Sequence, residues 1–423
     1  INMKGVQLSY KVLYENLACN VILFWKSIFY WMKVNSEEVT IMKIDFLYLN
    51  EEDMIKAGVM DPAGCIKTME DTMSLFGKKD FLLGGPKGDE HGLQMHFPQK
   101  SDIEDFPLDD GPDRRFMAMP AYLGGRFHIA GQKFYGSNSH NSALKLPRSI
   151  LMVTLSDVDT GAPKAIMSAN LLSAMRTGAM PAMSAKYLAR KDSRVLSLIG
   201  PGVINKCALM CYMEVLPHIE KIKLRGSSVN SKTALAMKEF IEEKYPQVKE
   251  IEICSTLREA CEDADVVSEA MSVTKENMEE FHLEWFKKGA TVFSMGSFLY
   301  RQFDDFLGTK MVVDNYGMYE KYMNNFIARG PVDAFGNKRE WVIMGIHFVH
   351  LVQTGKAKRE DVINISDIVN GISKGRTSDD EIVMCSIGGM PLEDLSWGYD
   401  CYQKAMELGI GTKLNLWNEP YMY

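Results

Sequence analysis

Short apolar runs alternate with helix-length amphipathic runs through the middle of the chain. The first, 195–199, ends in Gly200-Pro201-Gly202, and a helix-compatible stretch follows over 203–210. This pattern predicts strand, tight turn, helix. Gly200 permits the turn, and Gly202 lets backbone come close to a ligand. The N–H groups that open the helix, around Val203 and Ile204, lack internal partners and lie at its positive end, which suits a pyrophosphate. Asn205 stands where a third glycine would complete the motif. Further on, 222–226 predicts a second strand, 232–245 a helix, 250–254 a third strand, 257–263 a short helix and 265–268 a fourth strand. Runs at 290–296 and 311–314 supply two more. Strands alternating with helices predict parallel pairing, right-handed crossovers and a ligand beyond the carboxyl ends of the strands.

The preceding part is patterned differently. Positions 49–76 carry helical spacing, 84–92 is a glycine-rich loop, and 93–97 alternates as a strand with Gln94 and His96 on one face. Acidic and proline-bearing 102–115 predicts a surface insertion. Strands are expected at 116–122, 127–135 and 149–155, with a turn at 157–163. This block is strand-rich and lacks the alternation of the middle, so it is a different domain.

Composition narrows the class. A chain of 423 residues is long enough for two domains with full cores. Its net charge of −7 argues against nucleic acid as a partner. Eight scattered cysteines suggest a reducing compartment, hence the cytoplasm. Cys207 and Cys211, four apart on a helix, read as core residues, and His347 and His350 as structural, so no metal site is expected. The 29 methionines suggest adaptable packing or an apolar pocket. The apolar, aromatic run at 21–32 is interrupted by Lys26 and too short to span a bilayer. Residues 1–41 are expected to be extraneous or flexible, with Met42 the natural start; the alternative is a membrane-surface or partner-binding helix.

Several separate motifs carry a resemblance. They are Asp157-Val-Asp-Thr-Gly-Ala-Pro163, Arg176-Thr-Gly-Ala-Met-Pro181, Ile199-Gly-Pro-Gly202, Gly375-Arg-Thr-Ser-Asp-Asp-Glu381, Leu392-Glu-Asp394 and Gly409-Ile-Gly-Thr-Lys413. In order and spacing the chain, from about Met42 to its end, resembles the ornithine cyclodeaminase/μ-crystallin family. The resemblance implies an α/β fold, a Rossmann dinucleotide-binding domain inserted in a strand-rich α+β substrate/dimerisation domain. The expected division is 42–174 with 346–423 for the substrate domain and 175–345 for the Rossmann domain. It implies a homodimer whose strands close a barrel. It implies that Lys133 is the active-site lysine, able to polarise a carbonyl or imine or to hold a carboxylate. Arg176 would contact substrate carboxylate or cofactor phosphate, with Thr177 beside it. Ile387 and Gly388 would approach the nicotinamide, and Ala270, Met295 and Gly296 would lie along the cofactor.

Departures from the family pattern shape the functional expectation. Gln94 falls near the position of a strand arginine, Met117 near that of a glutamate, and Phe298 where cyclodeaminases carry an aspartate. The expected activity is therefore a nicotinamide-dependent oxidoreductase acting at a C–N bond of a small amine, amino acid or imine. Gln94, His96 and Phe298 are expected in the substrate pocket, Phe298 as an aromatic wall. The alternatives are an ornithine cyclodeaminase-type ammonia lyase, a non-catalytic NADP-binding protein, or a subunit of an amine-oxidising system. At the end of the second strand Gly226 replaces the usual acid, between Arg225 and the pair Ser227 and Ser228, with Lys232 beyond. That arrangement predicts NADP(H) over NAD(H).

Overall fold

The structure, a computed structural model, describes residues 43–108, 114–271, 279–328 and 342–422. The segment 1–41, expected to be extraneous, lies outside them. The first half comprises β1 (Ile44–Leu49), α1 (Glu51–Lys56), α2 (Pro62–Gly77), β2 (Phe81–Leu83), β3 (Leu93–His96), β4 (Arg115–Leu123), β5 (Ile129–Ser137), β6 (Ser149–Asp157), β7 (Pro163–Ser168) and α3 (Asn170–Leu188). There follow β8 (Val195–Ile199), α4 (Val203–Val215), β9 (Lys221–Arg225), α5 (Lys232–Lys244), β10 (Glu250–Ile253), α6 (Leu257–Cys261), β11 (Val266–Glu269), β12 (Thr291–Ser294) and β13 (Lys310–Val313). The last are α7 (Tyr316–Ala328), α8 (Met344–Gln353), β14 (Val362–Asn364), α9 (Ile365–Val369), β15 (Val383–Ser386), α10 (Pro391–Leu408) and β16 (Thr412–Trp417).

Two compact units are present. In the small one, 43–46 with 414–422, the Asn415 amide donates to the Ile44 carbonyl at 3.3 Å and to Asp45 at 2.8 Å. The large unit, 47–413, holds the parallel sheet and β2–β7 of the other. In the latter, β4, β5, β6 and β7 form an antiparallel meander, β1 pairs with β7 in parallel, and β2 and β3 both pair with β4. Alternation puts Met117, Met119, Lys133, Val153 and Leu155 on its buried face, against which α10 packs. The other sheet is entirely parallel, in the order β10-β9-β8-β11-β12-β15-β13-β14. Its central strands β11 and β12 are buried throughout, their polar ends included: Ser268, Glu269, Thr291 and Ser294 are as buried as the valines and phenylalanine beside them.

The α/β class and the strand-rich block stand as expected, and three details differ. The single helix read over 49–76 is β1's end, α1 and α2. Gly58 turns the chain at φ +84°, and Asp61 caps Ala63 N ahead of Pro62. The strand read at 127–135 runs instead over β5, two residues later. The segment 346–423 is also divided. It gives β14 and β15 to the parallel sheet before α10 covers the meander, so the chain crosses between the sheets later than the expected boundary.

α3 joins the two halves. The Asn170 side chain accepts from Leu151 N at 3.0 Å and donates to the Ser149 carbonyl at 2.8 Å, pinning the helix start to β6. Gly178 then brings its backbone against α4, where any Cβ would clash with Ala208 and Cys207. Cys207 and Cys211 are both buried in the core, on the α4 side of this contact. Among the described residues no helix is long and apolar enough to cross a membrane.

Candidate functional site

The glycine turn after β8 has the geometry of an anion cradle. Gly200 sits at φ +78°, and a Cβ on it would come 2.8 Å from the Ala270 carbonyl oxygen. Gly202 caps α4 without any side-chain cap, and a Cβ there would meet nothing within 4 Å. Open space thus faces the uncapped N–H groups at Val203 and Ile204, which fits a pyrophosphate. Asn205, in the place of the third glycine, is fully buried. Its amide donates to the carbonyls of Ile199 (2.9 Å), Gly200 (3.0 Å) and Ser268 (3.1 Å) and accepts from the Ser268 hydroxyl (2.8 Å). The turn is held by a side chain rather than by glycine packing.

Neighbouring strand ends are fixed by carboxylates that the sequence reading missed. Glu269, fully buried at the end of β11, accepts from Met271 N (2.6 Å), Ser297 N (3.0 Å) and the Ser294 hydroxyl (2.8 Å), holding Ala270, Met295 and Gly296 in place. Asp314, after β13, accepts from Gly388 N (2.8 Å) and Gly389 N (2.7 Å) and sets the turn after β15. Burial raises the pKa of both carboxyls. Ile387 is buried while Gly388 is exposed. At the end of β9, Arg225 bonds the Gly226 carbonyl and pairs with Glu279 at 2.6 Å; Ser227 and Ser228 are exposed.

A buried ionic cluster joins the meander to this edge. Lys133 Nζ donates to Ser173 Oγ at 2.8 Å and lies 3.2 Å from Asp394 Oδ1. Arg176 reaches the same Asp394 at 3.0 Å and Glu393 through its other terminal nitrogen. Both acids are wholly buried in the first turn of α10, the end of a helix that favours negative charge. The guanidinium also lies where a Cβ on Gly389 (φ +76°) would be. Lys133, Asp394, Arg176 and the Gly388-Gly389 turn therefore form one neighbourhood at the carboxyl end of β15. Burial lowers the Lys133 pKa to about 8 against the pull of Asp394. Burial likewise raises Glu393 to about 7, with Arg176 opposing. For Arg176 burial works against the charge, and Asp394 and Glu393 outweigh it, so its pKa is raised. Thr177 turns back on its own helix, donating to the Ser173 carbonyl at 2.6 Å.

The expected substrate residues divide. Gln94 and His96 are exposed on β3 and bond each other at 2.9 Å; Gln94 pairs in register with Met117, on the Lys133 face of the sheet. Phe298 corrects the expectation of a pocket wall. It is fully buried, stacks on Phe281 at 4.2 Å, and belongs to the core under the parallel sheet. An aromatic ring stacked on another 17 positions earlier packs where a carboxylate would be unsolvated. His91, which the pattern placed in an undistinguished loop, is instead close enough to feel Lys133, Arg176 and Asp394. A cavity of about 510 Å³ lined by Asp61, Lys67, Asp71, Arg126 and Asp400 includes none of these groups. Arg126 there is paired with Asp71 and Asp400.

Residues 69–408 match the ornithine cyclodeaminase/mu-crystallin family. The N-((2S)-2-amino-2-carboxyethyl)-L-glutamate dehydrogenase of Staphylococcus aureus is 28% identical over 89% of this chain and 100% of its own. A Delta(1)-pyrroline-2-carboxylate reductase of Bacillus cereus is 27% identical over 62% of this chain and 73% of its own. The structure of the Thermococcus litoralis Delta(1)-pyrroline-2-carboxylate reductase in complex with NADH and L-proline has the same fold. It superposes with a TM-score of 0.68 at 24% identity, covering 87% of this chain and 99% of that one. With a family match across most of its length, the chain belongs to the ornithine cyclodeaminase/mu-crystallin family.

Proposed function

We propose that this protein is a nicotinamide-dependent oxidoreductase acting at the C–N bond of a small amino or imino acid. The observation that carries the reading is the buried Lys133–Asp394–Arg176 cluster beside the Gly388-Gly389 turn, on the edge that holds the glycine cradle. The relatives named above act on secondary amines or cyclic imines that bear carboxylates, which supports the same substrate class. A bound nicotinamide would supply or accept hydride at the substrate carbon. Lys133 handles the proton at nitrogen. As a free amine it takes a proton from the substrate N–H while the C–N bond becomes C=N, and as ammonium it returns one in reduction. Asp394 and Ser173 hold the lysine nitrogen in place. Arg176 spends its terminal nitrogens on Asp394 and Glu393, so it organises the carboxylates in addition to its expected role as anion clamp.

The dinucleotide would lie along Gly200, Gly202, Ala270 and Gly296, with substrate on the meander side of Lys133. NADP(H) is favoured by the absence of a carboxylate at Gly226 and by exposed Ser227, Ser228 and Lys232. Arg225 joins that set once Glu279 releases it. A homodimer is favoured by the meander's uncovered face, where Leu93, Met95, Phe116, Phe134, Ile150 and Met152 are exposed. The buried thiols suit the cytoplasm.

A screen of amino acids, cyclic imino acids and decarboxylated amines, read by absorbance of the reduced nicotinamide, tests the proposal. Turnover is expected with carboxylate-bearing compounds and loss of it in Lys133→Met with cofactor binding retained. Wild-type protein that binds cofactor and turns over none of them would refute it.

A further inference from the structure

We propose that His91 is a carboxylate-binding residue of the substrate site, its imidazole Nδ1 donating a hydrogen bond to the carboxylate of the amino or imino acid. The substrate class rests on the functional reading above; the position of His91 does not. His91 ends the loop between β2 and β3, and that loop is anchored on both sides. Gly84 and Glu90 form an isolated antiparallel bridge. Lys321 of α7 donates to the Asp89 carboxylate at 2.7 Å and to its carbonyl at 3.0 Å, and pairs with Glu90 at 3.2 Å. Gly92 then seats the chain against β4, where a Cβ would press on Met117 and Met119.

The imidazole so positioned meets Tyr322 edge-on at 5.8 Å. Its Nδ1 is buried and has no hydrogen-bond partner among the described residues. A buried polar nitrogen without a partner is costly, and its placement is explained if the partner arrives with a ligand. The charges around the ring select that ligand. Lys133 of β5, Arg176 of α3 and Asp394 of α10 act on it directly, while Asp89 and Glu90 of its own loop are engaged by Lys321. Burial, reinforced by Lys133 and Arg176, holds the imidazole pKa down to about 4, so the ring is neutral near neutral pH and carries one N–H. At the ring Lys133 and Arg176 outweigh Asp394, so an anion placed there accepts that N–H. The tautomer with hydrogen on Nδ1 follows from the proposal.

The test is calorimetric titration of pyrrole-2-carboxylate, a planar and unreactive carboxylate, into protein saturated with reduced nicotinamide cofactor. Wild type should bind it. His91→Ala should weaken binding by ~10-fold or more, the loss of one hydrogen bond to a charged group. His91→Gln, which keeps a neutral donor, should recover part of that loss. Pyrrole, lacking the carboxylate, should bind equally weakly to all three proteins. Failure of wild type to bind the probe, or equal binding by wild type and His91→Ala, overturns the proposal. Equal effects of the substitution on probe and pyrrole also overturn it, because they indicate a packing role. Turnover of L-proline in the same preparations keeps the two readings apart. Carboxylate binding through His91 in protein that turns over none of the screened amino and imino acids would leave this proposal standing and refute the oxidoreductase.

Discussion

Lys133 and Asp394 are 261 positions apart in the chain and meet at 3.2 Å in a buried cluster. The free-amine fraction of Lys133 rises through pH about 8, so kcat/KM for amine oxidation should climb there and that for imine reduction should fall. Lys133→Arg stays charged at every working pH, so it should lose this inflection and ~10²-fold or more in rate. A wild-type profile flat through pH 8 would assign the proton transfer to another group. Glu393 makes the opposite kind of statement, about stability. Its folded pKa, about 7, lies above the ordinary 4.5, so its contribution is fully present below 4.5 and is lost as pH rises through 7. Melting temperature measured across that interval should fall less in Glu393→Gln than in wild type. Phe298→Ala empties a core position and should cost ~3–5 kcal/mol while leaving substrate selectivity unchanged. A changed selectivity at unchanged stability would return Phe298 to the pocket.

At the scale of elements, periodicity located β8, the glycine turn and α4, because each is local and its apolar spacing is long enough to read. It missed β14 and β15, which are three and four residues long and owe their place to neighbours far away in sequence. The same limit hid Glu393 and Asp394. Two acids after a proline announce a helix start, and nothing in them tells that Lys133 and Arg176 will meet them. Asn205 was visible only as a missing glycine, yet four hydrogen bonds make it the brace of the cradle. Asn205→Ala should lower stability by ~1–3 kcal/mol and weaken cofactor binding while leaving the Lys133 inflection in place. Unaltered cofactor affinity, measured by fluorescence titration, would show that the brace is not needed. His91 was unremarkable in a glycine-rich loop, since burial of its Nδ1 depends on Lys321 holding that loop from α7.

For the whole molecule, family membership and the two-sheet plan were legible in motifs scattered from Asp157 to Lys413, because their order and spacing encode the insertion of one sheet's strands into the path of the other. Cofactor choice was read from β9 alone, without Glu279, which lies 54 positions beyond Arg225 and holds it. Glu279→Gln should therefore strengthen NADPH binding relative to NADH, and an unchanged ratio of dissociation constants would remove Arg225 from the phosphate site. If the proposed dimer forms through the uncovered face of the meander, wild type should show a dimer's mass by light scattering and Met152→Glu a monomer's; equal masses would remove that face from the interface. The central claim is hydride transfer at a C–N bond, and deuterium tracing tests it most directly. Protein given Δ1-pyrroline-2-carboxylate, or the imine that supports its fastest turnover, with reduced nicotinamide carrying deuterium at both C4 positions should give an amine with one deuterium on the carbon bonded to nitrogen and oxidised cofactor in equal amount. Unlabelled product, or ammonia released from ornithine with no net oxidation of the cofactor, would contradict it.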